Sequence, residues 1–116
     1  MSKTPLGNTQ SLADMVSHLA KTIDARADGD PKDSYTAKLL SKGPLHCGKK
    51  IAEEGAELAL ALAAQGKSES ASEAADLLYH MMVGLRAKGV NLDSVAEALR
   101  KRQGISGLEE KAARQD

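Results

Sequence analysis

Aromatic residues are nearly absent from this chain of 116 residues, which has two tyrosines and no tryptophan or phenylalanine. Proteins that bind single-stranded nucleic acid stack bases on several aromatic side chains, and this chain cannot supply such a platform. Alanine and leucine must therefore build most of the hydrophobic core. At this length we expect one domain over residues 1–116, with residues 1–8 and 112–116 the least ordered.

Cysteine, net charge and long apolar runs are scarce as well. Cys47 is the only cysteine, so no intrachain disulfide can form, which suits a reducing compartment, and we expect this side chain to be buried. Sixteen basic residues balance sixteen acidic ones, so no overall field attracts nucleic acid or an anionic membrane. The longest apolar run, residues 58–64, is far shorter than the ~20 residues of a transmembrane helix.

The amino terminus is polar and lacks the apolar stretch of a signal peptide. We therefore expect a cytoplasmic protein that binds neither nucleic acid nor membrane.

Residues that favour helices dominate, and β-branched residues are few and scattered, so the sequence predicts an all-α fold. The pattern indicates helices over residues 9–26, 34–40, 45–65 and 92–102. A further helix follows residues 66–68 and ends near residue 88. Gly43 and Pro44 should end the second helix, and residues 66–68 should join the third and fourth into a helical hairpin. Ser106 and Glu109 have the spacing of a capping box for a last short helix.

Five acidic residues fall into two groups on the predicted hairpin: Glu53, Glu54 and Glu57, and then Glu73 and Asp76. Residues three or four apart are neighbours on a helix, and like charges there destabilise it by ~0.2–0.5 kcal/mol per pair. A bound cation would relieve that cost. Because oxygen ligands favour hard cations, the sequence predicts a site for Mg²⁺ or Mn²⁺. Such a site commonly serves phosphoanhydride hydrolysis.

The position of these acids on the helices distinguishes them from ordinary surface charges. At 100° per residue, the first group and Lys50 share an arc that borders the apolar flank of their helix, whereas solvated charges usually lie opposite it. Glu73, Asp76 and His80 form a similar polar ridge on the next helix. Each of these features also has a purely structural interpretation. The acids would then be solvated surface charges, Lys50 an ion-pair partner of the acids, and His80 a half-buried histidine.

The order Glu-Glu-x-x-Glu, then Glu-x-x-Asp, resembles the metal motif of the all-α nucleoside triphosphate pyrophosphohydrolases. Four segments narrow the resemblance to the phosphoribosyl-ATP pyrophosphohydrolase family: SYTAKLL at 34–40, KIAEEGAE at 50–57, EAADLLYH at 73–80 and SGLEEK at 106–111. The resemblance implies Mg²⁺-dependent hydrolysis of phosphoribosyl-ATP to phosphoribosyl-AMP and pyrophosphate in histidine biosynthesis. It also implies a homodimer or higher homo-oligomer, in which helical hairpins from both subunits assemble into a four-helix-bundle-type dimer.

The resemblance assigns roles to particular residues. The implied metal ligands are Glu54, Glu57, Glu73 and Asp76. Glu53 and Glu54 are the implied catalytic acids, with Glu53 an additional ligand or a group that orients or deprotonates the attacking water. The implied substrate-binding residues are Lys50, as a phosphate contact, and Ser34, Tyr35, Thr36 and Lys38, which match a segment bordering the substrate.

Two departures from the family pattern affect these expectations. Gly55 stands where a helix-favouring small residue is more usual, at a cost of up to ~1 kcal/mol relative to alanine, and we expect it to permit close approach of another helix. Many organisms fuse this activity to the cyclohydrolase of the next step. This chain has no room for that domain, so we expect the monofunctional form.

Two other functions stay open on the sequence. The same metal site would serve a house-cleaning pyrophosphohydrolase that degrades damaged or excess nucleoside triphosphates. In a different class, the chain would be a non-catalytic helical interaction module whose acids are solvated. A panel of substrates distinguishes the first alternative from a phosphoribosyl-ATP pyrophosphohydrolase. Measuring the melting temperature at increasing metal concentration distinguishes the second from any metal-dependent enzyme.

Overall fold

The structure, a computed structural model, describes residues 10–103. These residues form five α-helices and no strand: α1 (Leu12–Arg26), α2 (Tyr35–Ser41), α3 (Gly43–Ala64), α4 (Lys67–Lys88) and α5 (Leu92–Arg102). The all-α prediction is confirmed. The predicted last helix after Ser106 and the predicted poorly ordered ends, residues 1–8 and 112–116, lie outside the described residues. No helix within residues 10–103 is long and apolar enough to cross a membrane.

Side-chain caps set the start of three helices. Ser11, Ser34 and Asn91 each accept a hydrogen bond from a first-turn amide, at α1, α2 and α5 respectively. Because Ser11 is the cap, α1 begins at Leu12 and not at residue 9 as predicted. At the end of α4, Gly89 has a φ of 80°, a left-handed conformation that glycine adopts without strain. Gly89 thus stops α4 at Lys88, where the sequence predicted the end of this helix.

The junction between α2 and α3 is tighter than the sequence indicated. Lys42 is the single residue between the two helices, and Gly43, with a φ of 87°, already begins α3. Pro44 occupies the first turn of α3, where its missing N–H costs nothing. Only Gln65 and Gly66 separate α3 from α4, so the hairpin turn is also shorter than the predicted link over residues 66–68.

The helices α3 and α4 pack along each other as the predicted hairpin, and α1 and α2 pack on it. The buried core draws on all four helices: Ile23, Leu39, Cys47, Met82 and Val83. Cys47 is buried as predicted, and its thiol donates a hydrogen bond to the backbone oxygen of Leu39. Burial raises the pKa of that thiol, so Cys47 is a structural side chain.

Close approach of α3 and α4 depends on Gly84. A Cβ added there would lie 2.9 Å from Cδ1 of Ile51 and 3.5 Å from Cβ of Cys47. At Gly55, by contrast, an added Cβ would meet nothing within 4 Å. Within residues 10–103, Gly55 is therefore not the point of close helix approach that the sequence suggested.

Much apolar surface of the single chain stays uncovered. On α1, Leu12 and Met15 are 70% and 43% exposed. On α3, Leu45, Leu60 and Leu62 are 83%, 64% and 69% exposed. The core that one copy of the chain builds is consequently small for its content of leucine.

Candidate metal centre

Three acidic side chains meet between α3 and α4. Glu54 and Glu57 project from α3 and Glu73 from α4, and one carboxylate oxygen of each lies within 4.8 Å of the others. Two oxygens that bind the same Mg²⁺, each at ~2.1 Å, are at most ~4.2 Å apart. Small side-chain rotations therefore suffice for these three residues to share one cation.

The surroundings of Glu73 favour a positive charge. Its Oε1 atom is buried and has no hydrogen-bond donor, and two ionised carboxylates cannot donate to each other. Burial, followed by the negative charges of Glu57 and Asp76, raises the pKa of the Glu73 carboxyl. Since a carboxylate oxygen buried without a donor is costly, a cation bound at Oε1 of the half-buried Glu73 would offset that penalty. The donor set, all carboxylate oxygen, fits a hard divalent cation.

The other two predicted acids lie outside this group of three. Asp76 is exposed on α4 one turn beyond Glu73, although its charge contributes to the raised pKa of Glu73. Glu53 is also exposed and accepts a hydrogen bond and ion pair from Nζ of Lys50 at 3.1 Å. That hydrogen bond and the negative charge of Glu53 raise the pKa of Lys50. Lys50 thus has the ion-pair role that the sequence left open.

The predicted substrate segment forms the start of α2. Ser34 caps this helix, Tyr35 is 53% exposed and Lys38 is exposed. Thr36 differs, since it is only 4% exposed and its hydroxyl lies 2.7 Å from the hydroxyl of Tyr79 on α4. Tyr35 and Lys38 are therefore exposed on α2, which packs on α3 and α4, the helices that carry the acids. Thr36, by contrast, links α2 to α4.

His80 does not continue the predicted polar ridge. It is 8% exposed, and its ring meets those of Tyr35 and Tyr79 edge-on, at centroid distances of 6.1 and 5.1 Å. The two tyrosine rings stack at 6.4 Å. His80 is thus a buried histidine within an aromatic cluster that includes both tyrosines of the chain.

Two basic residues near these side chains, Lys42 and His46, were not among the site residues that the sequence predicted. His46 lines a cleft of about 160 Å³ between α2 and α3, together with Tyr35, Lys38, Leu39, Lys42 and Lys50. His46 precedes Lys50 by four residues, which places both on one face of α3. That spacing is the signal that could have found it.

Comparisons with known proteins agree over most of the chain. Residues 16–103 match the family model described as phosphoribosyl-ATP pyrophosphohydrolase. A phosphoribosyl-ATP pyrophosphatase from Caulobacter vibrioides is 51% identical over 91% of this chain and 98% of its own length. Phosphoribosyl-ATP pyrophosphatase 1 from Rhodopseudomonas palustris is 50% identical over 83% of this chain and 90% of its own.

A longer protein also matches. The histidine biosynthesis bifunctional protein HisIE from Wolinella succinogenes is 48% identical over 94% of this chain, which corresponds to 48% of that protein. The family model extends over nearly all of the described helices. The chain belongs to the phosphoribosyl-ATP pyrophosphohydrolase family, as its four sequence segments indicated.

Proposed function

We propose that this protein hydrolyses phosphoribosyl-ATP to phosphoribosyl-AMP and pyrophosphate in histidine biosynthesis, in the cytoplasm and with Mg²⁺ as cofactor. Family membership supports the substrate. The observation that carries the chemistry is the meeting of three carboxylates around a buried oxygen without a donor. A cation at that position is what a phosphoanhydride hydrolase requires.

Glu54, Glu57 and Glu73 are the proposed ligands, and Asp76, which is exposed one turn along α4, is the proposed fourth ligand. Mn²⁺ is a suitable substitute, since it prefers the same oxygen ligands. When bound, Mg²⁺ would supply an acidified water molecule and a positive charge to neutralise the departing pyrophosphate.

Glu53 and Glu54 are the proposed catalytic carboxylates. Lys50 holds the exposed Glu53 carboxylate by an ion pair of 3.1 Å, which leaves its second oxygen available to accept a proton from the attacking water. The oxygen of that water bonds to the α-phosphorus, and the bond from this phosphorus to the pyrophosphate oxygen breaks. The ammonium group of Lys50 is also a proposed contact for a substrate phosphate.

The start of α2 is the proposed border of the substrate site. Tyr35 and Lys38 offer a hydroxyl and an ammonium on the exposed side of this helix, and Ser34 sets where it begins. Thr36 supports the same border from the inside, through its hydrogen bond to Tyr79.

We also infer that two copies pair through their hairpins into a four-helix bundle. Ala52 and Ala59 are exposed on α3, on the side away from the buried Ala61. Leu45, at 83% exposure, lies on the same side by helical periodicity. Exposed apolar residues that share one helix face are typical of a protein–protein contact, and a second copy offers a matching face.

The test of the activity uses the purified protein, phosphoribosyl-ATP and Mg²⁺, with release of pyrophosphate and formation of phosphoribosyl-AMP as readouts. Glu73→Gln should abolish turnover, whereas Glu69→Gln, an exposed acid on the same helix, should not. A panel of nucleoside triphosphates addresses the house-cleaning alternative, which predicts turnover of several of them. A folded wild-type protein that releases no pyrophosphate from phosphoribosyl-ATP would overturn the proposal.

A further inference from the structure

We propose that Lys38, Lys42, His46 and Lys50 form a phosphate-binding cleft next to the metal centre, and that Lys42 and His46 are binding residues for a substrate phosphate that the metal does not hold. This inference rests on the proposed function for the identity of the substrate. It adds to the site two residues, Lys42 and His46, that neither the sequence motif nor the acidic group includes.

The cleft lies where α2 ends and α3 begins. Lys38 comes from α2, Lys42 is the single residue between the helices, and His46 and Lys50 are successive members of one face of α3. At about 160 Å³ it is smaller than the ~300–1,000 Å³ of pockets that enclose a drug-sized ligand. This size suits one phosphate group at the end of a larger molecule.

The positive charges around the cleft are largely uncompensated. Within residues 10–103, neither Lys38 nor Lys42 has a carboxylate oxygen within 4 Å of its ammonium group. Lys50 has one such partner, Glu53. Several cations around a small concave surface repel one another, and an anion that enters it relieves this repulsion. The surface therefore selects for negative charge.

Hydrogen-bond donors of two other kinds converge on the same place. Imidazole donates an N–H to phosphate oxygen in either charge state, so His46 contributes whether or not it is protonated. Tyr35, whose side chain carries a hydroxyl, also lines the cleft.

The spacing along α3 fits a substrate with phosphate at two places. Lys50 lies four residues, about 6 Å along the axis, before Glu54 of the metal centre. Phosphoribosyl-ATP carries a triphosphate and, on its second ribose, a 5′-phosphate. When the metal centre holds the reacting part of the triphosphate, the cleft can receive either the far end of that triphosphate or the 5′-phosphate.

The experiment measures direct binding of two probes, ribose 5-phosphate and inorganic pyrophosphate, by calorimetry with Mg²⁺ present. The test variants are Lys42→Gln and His46→Gln. Lys49→Gln and His18→Gln are matched controls, because both residues are exposed and neither lines the cleft. Each test variant should bind at least one probe about tenfold more weakly, the loss expected for one hydrogen bond to a charged group, and the controls should bind as wild type does.

The probe that is affected identifies the phosphate. Weaker binding of ribose 5-phosphate assigns the cleft to the phosphoribosyl end, and weaker binding of pyrophosphate assigns it to the triphosphate. In turnover, the test variants should raise KM for phosphoribosyl-ATP more than they lower kcat, since the cleft does not touch the reacting phosphorus. Wild-type affinity for both probes together with wild-type KM in both test variants would overturn the inference.

These results separate the cleft from the overall reaction. Wild-type turnover of phosphoribosyl-ATP tests the proposed function alone and does not involve the variants. An active wild-type protein with unaffected variants contradicts only the cleft. An inactive wild-type protein contradicts the proposed function, while the binding measurements still report on the cleft.

Discussion

At the scale of single residues, Glu73 experiences the least favourable electrostatics of the candidate centre. Its carboxyl has a raised pKa because of burial and the neighbouring acids Glu57 and Asp76. The folded state therefore binds the Glu73 proton more tightly than the unfolded chain does. The corresponding stabilisation is fully present below the ordinary pKa of 4.5 and is lost as the pH rises through the raised value.

Metal-free wild-type protein should accordingly lose thermal stability between acidic and neutral pH in part through Glu73. Glu73→Gln cannot ionise at this position, so its melting temperature should fall less over the same range. Glu69→Gln, on the same helix, should follow the wild type. Thermal melts in chelator across pH 4 to 8, taken at about one-unit steps around the ordinary carboxyl range, measure the difference. Parallel curves for wild type and Glu73→Gln would contradict this assignment.

Glu54→Gln separates a metal ligand from a structural acid. Without metal, removing one like charge should leave the melting temperature unchanged or raise it slightly, by the ~0.2–0.5 kcal/mol of a like-charge pair. Activity should fall by more than the ~10–100-fold that loss of a metal's outer partner costs. Mg²⁺ should raise the melting temperature of wild type but not of Glu54→Gln.

Unfolding of metal-free Glu54→Gln would show that the acid is structural. Absence of any Mg²⁺ or Mn²⁺ effect on the wild type, at millimolar concentrations, would instead favour the non-catalytic module.

Local spacing explains which site residues could be anticipated. Glu54, Glu57 and Glu73 come together because helical periodicity and a hairpin are enough to place them. The burial of Thr36 and His80 could not be anticipated in this way. It arises where α2 lies on α4, a contact between residues more than forty positions apart that no local pattern specifies.

At the scale of helices, the hydrogen bond between Thr36 and Tyr79 fastens α2 to α4. Thr36→Val or Tyr79→Phe alone leaves one partly buried hydroxyl without its partner and should cost ~1–3 kcal/mol of unfolding free energy. The double variant should be less destabilised than the sum, because neither hydroxyl is then left unpaired. Urea denaturation of the four proteins measures the coupling.

Thr22→Val is the control for this cycle, since the Thr22 hydroxyl bonds only to His18 in its own helix. It should cost less than Thr36→Val. Additive effects of Thr36→Val and Tyr79→Phe would show that the two hydroxyls are not coupled.

The composition was enough to predict which segments are helical. The exact helix ends were harder to predict, because neighbouring residues are equally suitable as caps or turn residues. The sequence offers cap-type residues at both positions 9 and 11, and only the hydrogen bond from the Asp14 amide to Ser11 identifies the one in use. Likewise, Gly43 suits either the end of one helix or a turn into the next. With one residue between α2 and α3, it serves the turn.

At the scale of the whole molecule, the uncovered side of α3 predicts the behaviour of the chain in solution. Ala59→Glu places a charge on that side, which should convert a dimer to monomer in size-exclusion chromatography with light scattering. Ala13→Glu adds the same charge at an exposed position of α1 and should keep the wild-type mass. A dimer that persists in Ala59→Glu would exclude this side of α3 as the interface.

The hydrophobic pattern of the sequence alone could not predict which face of the molecule a second copy would cover. Leu45, Leu60 and Leu62 read as core residues by hydrophobicity, yet each is mostly exposed in one copy. Hydrophobic periodicity shows that a face is to be buried and does not show which molecule covers it.

The two-residue turn at Gln65 and Gly66 has a consequence for activity in the dimer that we propose. Because so short a connection forces α4 to return along its own α3, one polypeptide brings Glu54, Glu57 and Glu73 together. In a mixed dimer of wild-type and Glu73→Gln chains, the wild-type chain would therefore keep a complete acid group. Inactivation should then be proportional to the fraction of mutant chains, without one defective copy silencing its neighbour.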